Sequence, residues 1–453
     1  MADTHFAVLD EKKFGAFHWQ AILVTGLGVF CDGYDISSIS LVLTPALHHY
    51  GVAAQDVPIM KGWLTAAALI GSMVGALLFG LLAQGGRKRF YGFDAMILGL
   101  AALAQAFMPN VWMLVACRFI LGIGVGADYV LSPTIMAEHA NRADRGKAIG
   151  LGFGTMWPIG AMAAALFKLL LDSYHVPPDL VWKLVLAGGA VPALGVMWFR
   201  RTMPESARFL ARVAADQHAA AAVIARVSGD ASAPPPAVDT RPILTLLRQH
   251  ARYILAGALL WMVYDLVVYA AILFGPDIIA QNLGIPASIY QIETELIFVI
   301  PPSLLMSWFI IDKFGRKPLQ VWGFVGGAVT LGIFALMRAA WPSAALAAYI
   351  VYGLFNIAQT GPGLVSGAGV YGVELAPTRI RSIAQSITVV GGRIGATISG
   401  FVFPVLNAHA GFVWTMTGLG LLSLLGALLS QVLVPETSSR SLEDINLEHS
   451  PAA

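Results

Sequence analysis

The sequence predicts an all-α membrane protein of twelve transmembrane helices in two pseudo-symmetric six-helix bundles. Three observations carry this. Of 453 residues, 57% are apolar and only 12% charged, against about 25% charged in soluble domains. Uncharged apolar runs recur along the whole chain. Finally, a pattern of charged loop residues in the first half returns in the second.

The apolar runs place spans at 18–46, 61–83, 91–108, 111–138, 147–171, 182–199, 252–280, 290–311, 319–337, 343–366, 383–404 and 411–433. As helices these cross roughly 30 Å of hydrocarbon. Basic residues follow the even-numbered spans: Arg87, Lys88 and Arg89 after span 2, Arg142, Arg145 and Lys147 after span 4, and Arg200, Arg201 and Arg208 after span 6. Lys313, Arg316 and Lys317 follow span 8, and Arg379 and Arg381 follow span 10. Basic loops face the cytoplasm, so both termini are expected there, in a plasma (inner) membrane. Residues Met1 to Phe17 lack the order of a signal peptide, so span 1 is expected to stay in the mature protein.

One long polar stretch, Glu205 to His250, divides the chain. It holds Ser228-Gly229-Asp230 and Pro234-Pro235-Pro236, and its piece Ala207 to Val227 reads as an amphipathic helix along the inner membrane face. The expected domains are a bundle over 1–203, a cytoplasmic loop over 204–250, and a second bundle with a cytoplasmic tail over 251–453.

The halves echo one another. Glu374 lies 236 residues after Glu138, and Arg381 lies 236 after Arg145. Gly86-Arg87-Lys88 after span 2 matches Gly315-Arg316-Lys317 after span 8. Two related bundles imply a binding site near the midplane between them.

Charges inside the spans mark that site. Trp261, Asp265 and Tyr269 follow at four-residue spacing and share a helical face in span 7. A mid-span carboxylate costs at least ~2.5 kcal/mol and is functional by default. Asp32, Asp128 and Arg393 fall near the middle of spans 1, 4 and 11. Desolvation and like-charge neighbours suit such carboxylates to carry protons. The planar fork of Arg393 matches a carboxylate or phosphate oxygen pair. Two uses of Arg393 stay open: it receives an anion, or it holds an Asp in a permanent bridge joining the halves and leaves the site to neutral ligands. Tyr129, Tyr269, Trp261 and Trp157 are expected to supply donors and shape. Asp35, one turn from Asp32, is either a second proton group or the cap of a bend. Arg118 is expected in the gating or brace group, functional or paired with Asp32. Gln359 either touches substrate or makes a packing hydrogen bond, and Glu293 and Glu295 are expected at the interface. Gly122, Gly124 and Gly126 are expected to allow close helix packing. Glu138 with Arg145, and Glu374 with Arg381, are expected to form inner gate or brace networks.

Asp312-Lys313-Phe314-Gly315-Arg316-Lys317 resembles the loop motif of the major facilitator superfamily, and Asp312 and Arg316 join the gating group on that ground. Gln84 and Gly85 stand where the first-half copy usually has Asp and Arg. Pro204-Glu205-Ser206-Ala207-Arg208 and Pro435-Glu436-Thr437 are similar to elements of its sugar-porter-like branch. Within that branch, Phe30-Cys31-Asp32-Gly33-Tyr34-Asp35, Asp128-Tyr129 and the span 7 trio resemble the phosphate:proton symporters most closely. The resemblance implies that Asp32 and Asp128 handle protons and that Tyr129, Trp261, Asp265 and Tyr269 line the substrate site. Trp157 stands where that family has Gln, Arg393 where it has Lys, and Thr360-Gly361-Pro362-Gly363 near where it has Asn. The Asp-Gly-Tyr-Asp string also resembles aromatic-acid:proton symporters.

The sequence offers no enzyme signature. It has no Gly-Lys-Ser/Thr phosphate loop for ATP. Its two cysteines, Cys31 and Cys117, fall inside spans and suggest neither a disulfide framework nor a metal site. No cofactor is expected, and the net charge of +2 points to no nucleic acid. The expectation is a monomeric proton-coupled carrier of a small anion, inorganic phosphate first, in a lipid bilayer. An organic-acid or sugar carrier, and a non-transporting receptor of transporter fold, are the alternatives.

Overall fold

The computed structural model describes residues 6–228 and 238–448. The Gly229-Asp230 and Pro234-Pro235-Pro236 pieces of the long loop lie outside the described residues. Backbone polar groups in hydrocarbon must be satisfied within their own segment, which makes each apolar run a helix.

The twelve spans are numbered α1–α12. In the first half they are α1 Ala16–His49, α2 Val57–Gly85, α4 Val111–His139, α5 Arg145–Ser173 and α6 Pro178–Arg200, with the 13-residue α3 Phe93–Gln105. In the second they are α7 Ile243–Leu273, α8 Ala287–Phe314, α9 Arg316–Ala340, α10 Ala345–Thr360, α11 Arg381–Asn407 and α12 Phe412–Leu433. Ten are long and apolar enough to cross a membrane. The other two, α3 and α10, are stopped early by the chain's own chemistry. Before α3, Gly92 stands at φ +127 and its N–H donates to Asp94 at 2.7 Å. After α10, Gly361-Pro362-Gly363 breaks the helix. Helix α7 begins at Ile243, well before the expected start of span 7.

Packing repeats with an offset of six helices. In the first half α1 packs on α5, α2 on α4 and α3 on α6; in the second α7 packs on α11, α8 on α10 and α9 on α12. The halves meet through α2 against α11 and α5 against α8, again related by the same offset. Glycines set the closest approaches. A methyl group on Gly122 would stand 2.0 Å from the Ala68 carbonyl oxygen, and one on Gly126 would stand 1.9 Å from that of Ser72. Only glycine lets α4 seat on α2 there, as the sequence led one to expect.

On the inner side the Ala207 to Val227 stretch is two helices, Ala207–Arg212 and Gln217–Ser228. Their apolar face packs on the protein itself. It is buried against Phe6 and Leu9 of the N-terminal segment, with Ala211 and Ile224 at its centre.

Candidate functional site

A cavity of about 120 Å³ lies between the halves. Tyr129, Phe153 and Trp157 line it from the first half, and Trp261, Asp265, Tyr269 and Arg393 from the second. Every substrate-site residue expected from the sequence is on this wall. A π-helical stretch, Gly150–Thr155, places Phe153 on the cavity wall; such bulges are common at functional sites.

Arg393 is the centre of the arrangement. It is 2% exposed. Its Nη1 donates to the Tyr269 hydroxyl at 2.6 Å, and its Nε donates to Ser72 Oγ on α2 at 3.3 Å. The guanidinium lies over the Tyr129 ring, 4.0 Å from its centroid, a cation–π contact from the opposite half. Asp265 Oδ2 stands 3.6 Å from Nη1, a charge contact beyond hydrogen-bond length. Nη2 has no hydrogen-bond partner among the described residues. The expected alternative of a bridge joining the halves is corrected here: Arg393 on α11 and Asp265 on α7 belong to the same half. Across the halves, Arg393 meets the Tyr129 ring and the Ser72 hydroxyl. An opposite charge thus holds it loosely, with one N–H edge unspent.

The first half carries the remaining acids. Asp32 and Asp35 are fully buried, and none of their four oxygens has a hydrogen-bond partner among the described residues. Asp128 accepts from Arg200 Nη2 at 2.5 Å and from the Ser132 hydroxyl, while Arg200 Nη1 binds Asp94. Asp32 lies in the field of Asp128, Arg200 and Arg393. Arg118 is not paired with Asp32. Its Nε donates to the Leu64 carbonyl at 2.6 Å and its Nη1 to Gln105 at 3.1 Å, and the acid in whose field it sits is Asp35. It ties α4 to α2 and α3, away from the inner network.

That inner network crosses between the halves. Glu138 accepts from Arg381 at 2.8 Å and Glu374 accepts from Arg145 at 2.7 Å. Each acid therefore pairs with the arginine of the other half, not with the one seven residues on in its own copy. A second arginine completes each cluster: Arg87 on Glu138 at 2.8 Å and Arg316 on Glu374 at 3.3 Å. Asp312 holds Arg316 at 2.7 Å and accepts from the backbone N–H groups of Gly146 and Lys147 at the start of α5. Gln84 takes the matching place and donates to Ser382 at the start of α11, at 2.8 Å. A carboxylate holds one side of this network and an uncharged amide the other. These pairs tie the two halves together at the loop ends of α4, α5 and α11.

Below the gate Arg208 gathers three segments. It binds Asp10 at 2.8 Å, Glu443 at 2.8 Å and the Glu138 carbonyl at 2.6 Å. Burial alone would push the Glu443 carboxyl up, but the Arg208 guanidinium overrides this and holds it at about 2. Burial pushes Asp10 the other way, above its ordinary value.

Several members of these clusters escape a reading of the sequence. Arg200 counts there as one more basic loop residue, yet it is 1% exposed and neutralises Asp94 and Asp128. Asp94, a carboxylate at the head of an apolar run, was the available signal. Glu295 is not interfacial. It is 4% exposed and lines the central cavity. Gln359 lines the cavity too, while its amide donates to the Gly323 carbonyl at 3.3 Å.

A family model described as Sugar (and other) transporter matches residues 21–448. A probable inorganic phosphate transporter 1-10 of Oryza sativa subsp. japonica is 31% identical, over 96% of this chain and 91% of its own length. The probable inorganic phosphate transporter 1-6 of Arabidopsis thaliana is 29% identical, over 98% of this chain and 96% of its own. Among solved structures, the proton:xylose symporter XylE bound to 6-bromo-6-deoxy-D-glucose superposes with a TM-score of 0.82 at 22% identity, over 95% of this chain and 98% of its own. That likeness is one of fold.

Proposed function

The chain belongs to the sugar (and other) transporter family of the major facilitator superfamily, and from that premise we propose that it is a proton-coupled symporter of a small anion, inorganic phosphate first. It is an integral membrane transporter. Orientation with both termini in the cytoplasm of a plasma (inner) membrane, and action as a monomer, belong to the same proposal.

The observation that carries the reading is the unspent Nη2 edge of Arg393, set in the cavity wall beside Tyr129, Tyr269 and a loosely held Asp265. A guanidinium keeps its charge at any physiological pH, and its fork fits two oxygens of one anion. The relatives named as inorganic phosphate transporters make phosphate the first choice.

The proposed cycle follows from the charges. Substrate takes the free edge of Arg393 and displaces Asp265 as its counter-ion. Asp265, left in low dielectric, then favours a proton. Asp32, buried without a partner beside the Asp128–Arg200 pair, is the second proton carrier; Asp35 and Asp128 complete that chain. Neutralising these acids lets the loaded site move, and the Glu138–Arg381 and Arg145–Glu374 pairs separate as one half rocks against the other. The test is uptake of labelled phosphate into sealed proteoliposomes. Phosphate that binds without crossing marks a receptor instead, and phosphate that neither binds nor crosses removes it as substrate.

A further inference from the structure

Part of the cavity wall is built from α8 and α10, which contribute Gln291, Glu295, Asn356, Gln359 and Thr360. Each side-chain amide nitrogen there donates one bond to the protein, as does the Thr360 hydroxyl. Gln291 Nε2 donates to Glu295 Oε1 at 2.7 Å, Gln359 Nε2 to the Gly323 carbonyl at 3.3 Å, Asn356 Nδ2 to the Tyr352 carbonyl at 3.1 Å, and Thr360 Oγ1 to the Asn356 carbonyl at 2.8 Å. Two fully buried acceptors stand out. Glu295 Oε2 and Gln359 Oε1 have no partner among the described residues, on side chains 4% and 1% exposed that both line the cavity. Buried acceptors are costly to leave unmade. Glu295 also opens a π-helical stretch, Glu295–Val299, a distortion that recurs at functional sites.

The cavity lining thus carries an unspent donor edge at Arg393 and unspent acceptors at Glu295 and Gln359. Inorganic phosphate gathers five heavy atoms in one tetrahedron. The cavity's volume of about 120 Å³ equals the liquid share of about four waters, and its lining runs from Arg393 to α8 and α10. We propose that Glu295 and Gln359 form a second subsite that accepts hydrogen bonds from the hydroxyls of a small organic anion, so that the transporter also takes short hydroxylated phosphate esters or hydroxycarboxylates. The proposal rests on the reading of Arg393 as the anion site.

Two probes share one anionic head and differ in the tail: methyl phosphate has no hydroxyl, glycerol 3-phosphate has two. Binding of each to the full chain in detergent is read by the fluorescence of the cavity's Trp157 and Trp261. The wild type is expected to bind glycerol 3-phosphate on the order of tenfold more tightly, one to two hydrogen bonds to a charged or amide acceptor. The preference is expected to collapse in Glu295→Leu and in Gln359→Leu, and to survive in part in Glu295→Gln, which keeps an acceptor oxygen. Equal affinities in the wild type overturn the subsite while leaving the anion site intact. A preference unchanged in both leucine variants does the same. If the wild type binds neither probe, the anion reading of Arg393 falls, and this inference with it.

Discussion

Arg381 and Glu138 are 243 residues apart in the chain and 2.8 Å apart in space, on opposite halves of the molecule. Arg145 and Glu374 make the matching contact at 2.7 Å. All four residues are fully or almost fully buried, and breaking a buried pair costs about 3–5 kcal/mol because one charge is left alone. In the proposed cycle, removing an acid therefore penalises the state in which these pairs exist and not the one in which they have separated. In Glu374→Gln, spin labels on the inner ends of α2 and α11 are expected to show a larger separation and a majority of open molecules. An unchanged distance distribution contradicts a gating role for the pair.

The asymmetry of the gate makes its own prediction. Asp312 accepts from the start of α5, where Gln84 offers only an amide to the start of α11. A carboxylate near a helix N-terminus is stabilising by about 0.3–1 kcal/mol or more. Asp312→Asn is expected to loosen the closed state measurably, and Gln84→Asp to tighten it and slow turnover. Exchange rates in proteoliposomes decide, and equal rates for all three proteins would remove the helix-terminus argument.

At the site, the Tyr269 hydroxyl accepts from Arg393 at 2.6 Å. A hydrogen bond to a charged partner contributes about 1.5–3 kcal/mol, so Tyr269→Phe is expected to weaken anion binding by roughly tenfold or more. Arg393→Lys keeps the charge but loses the fork, and its binding is expected to fall further. Isothermal titration with phosphate checks both.

The latch at Arg208 has a defined pH response. Glu443 is held at about 2 against an ordinary 4.5. A depressed carboxyl stabilises the fold above its ordinary value, and that gain is lost as pH falls toward the folded value. The melting temperature of the wild type is expected to exceed that of Glu443→Gln at neutral pH, with the gap closing as pH drops from 4.5 toward 2. Asp10, raised by burial, has the opposite sign, so Asp10→Asn is not expected to show that acid-dependent loss. A gap for Glu443→Gln that stays constant with pH contradicts the assignment.

The fold was legible because its signals are one-dimensional: apolar run length, basic loops, and the 236-residue repeat. So was the cavity's aromatic and charged wall, since intramembrane Asp265 and Arg393 have few other uses. Partners were not legible where chain spacing misleads. The seven-residue spacing from Glu138 to Arg145 suggests a pair within one half, whereas the bundle folds each acid onto the other half's arginine. Arg200 sits at a helix end beside loop arginines, and only the fold carries it onto Asp94 and Asp128. A methyl group on Gly28 would come 1.8 Å from its Nη2, so α1 leaves a glycine-sized gap for that guanidinium. Glu295 lies near the start of its span, where an acid ordinarily meets water, and packing of α8 on α10 turns it into the cavity instead.

The most direct test of the account is proton movement itself. Proteoliposomes loaded with a pH-sensitive dye, without an imposed gradient, receive external phosphate. Symport through the Arg393 site predicts that the interior acidifies beyond what phosphate alone carries, and that Asp265→Asn, folded and reconstituted equally, abolishes the extra acidification. Phosphate entry with no extra acidification in the wild type, or the same acidification in the variant, would contradict it.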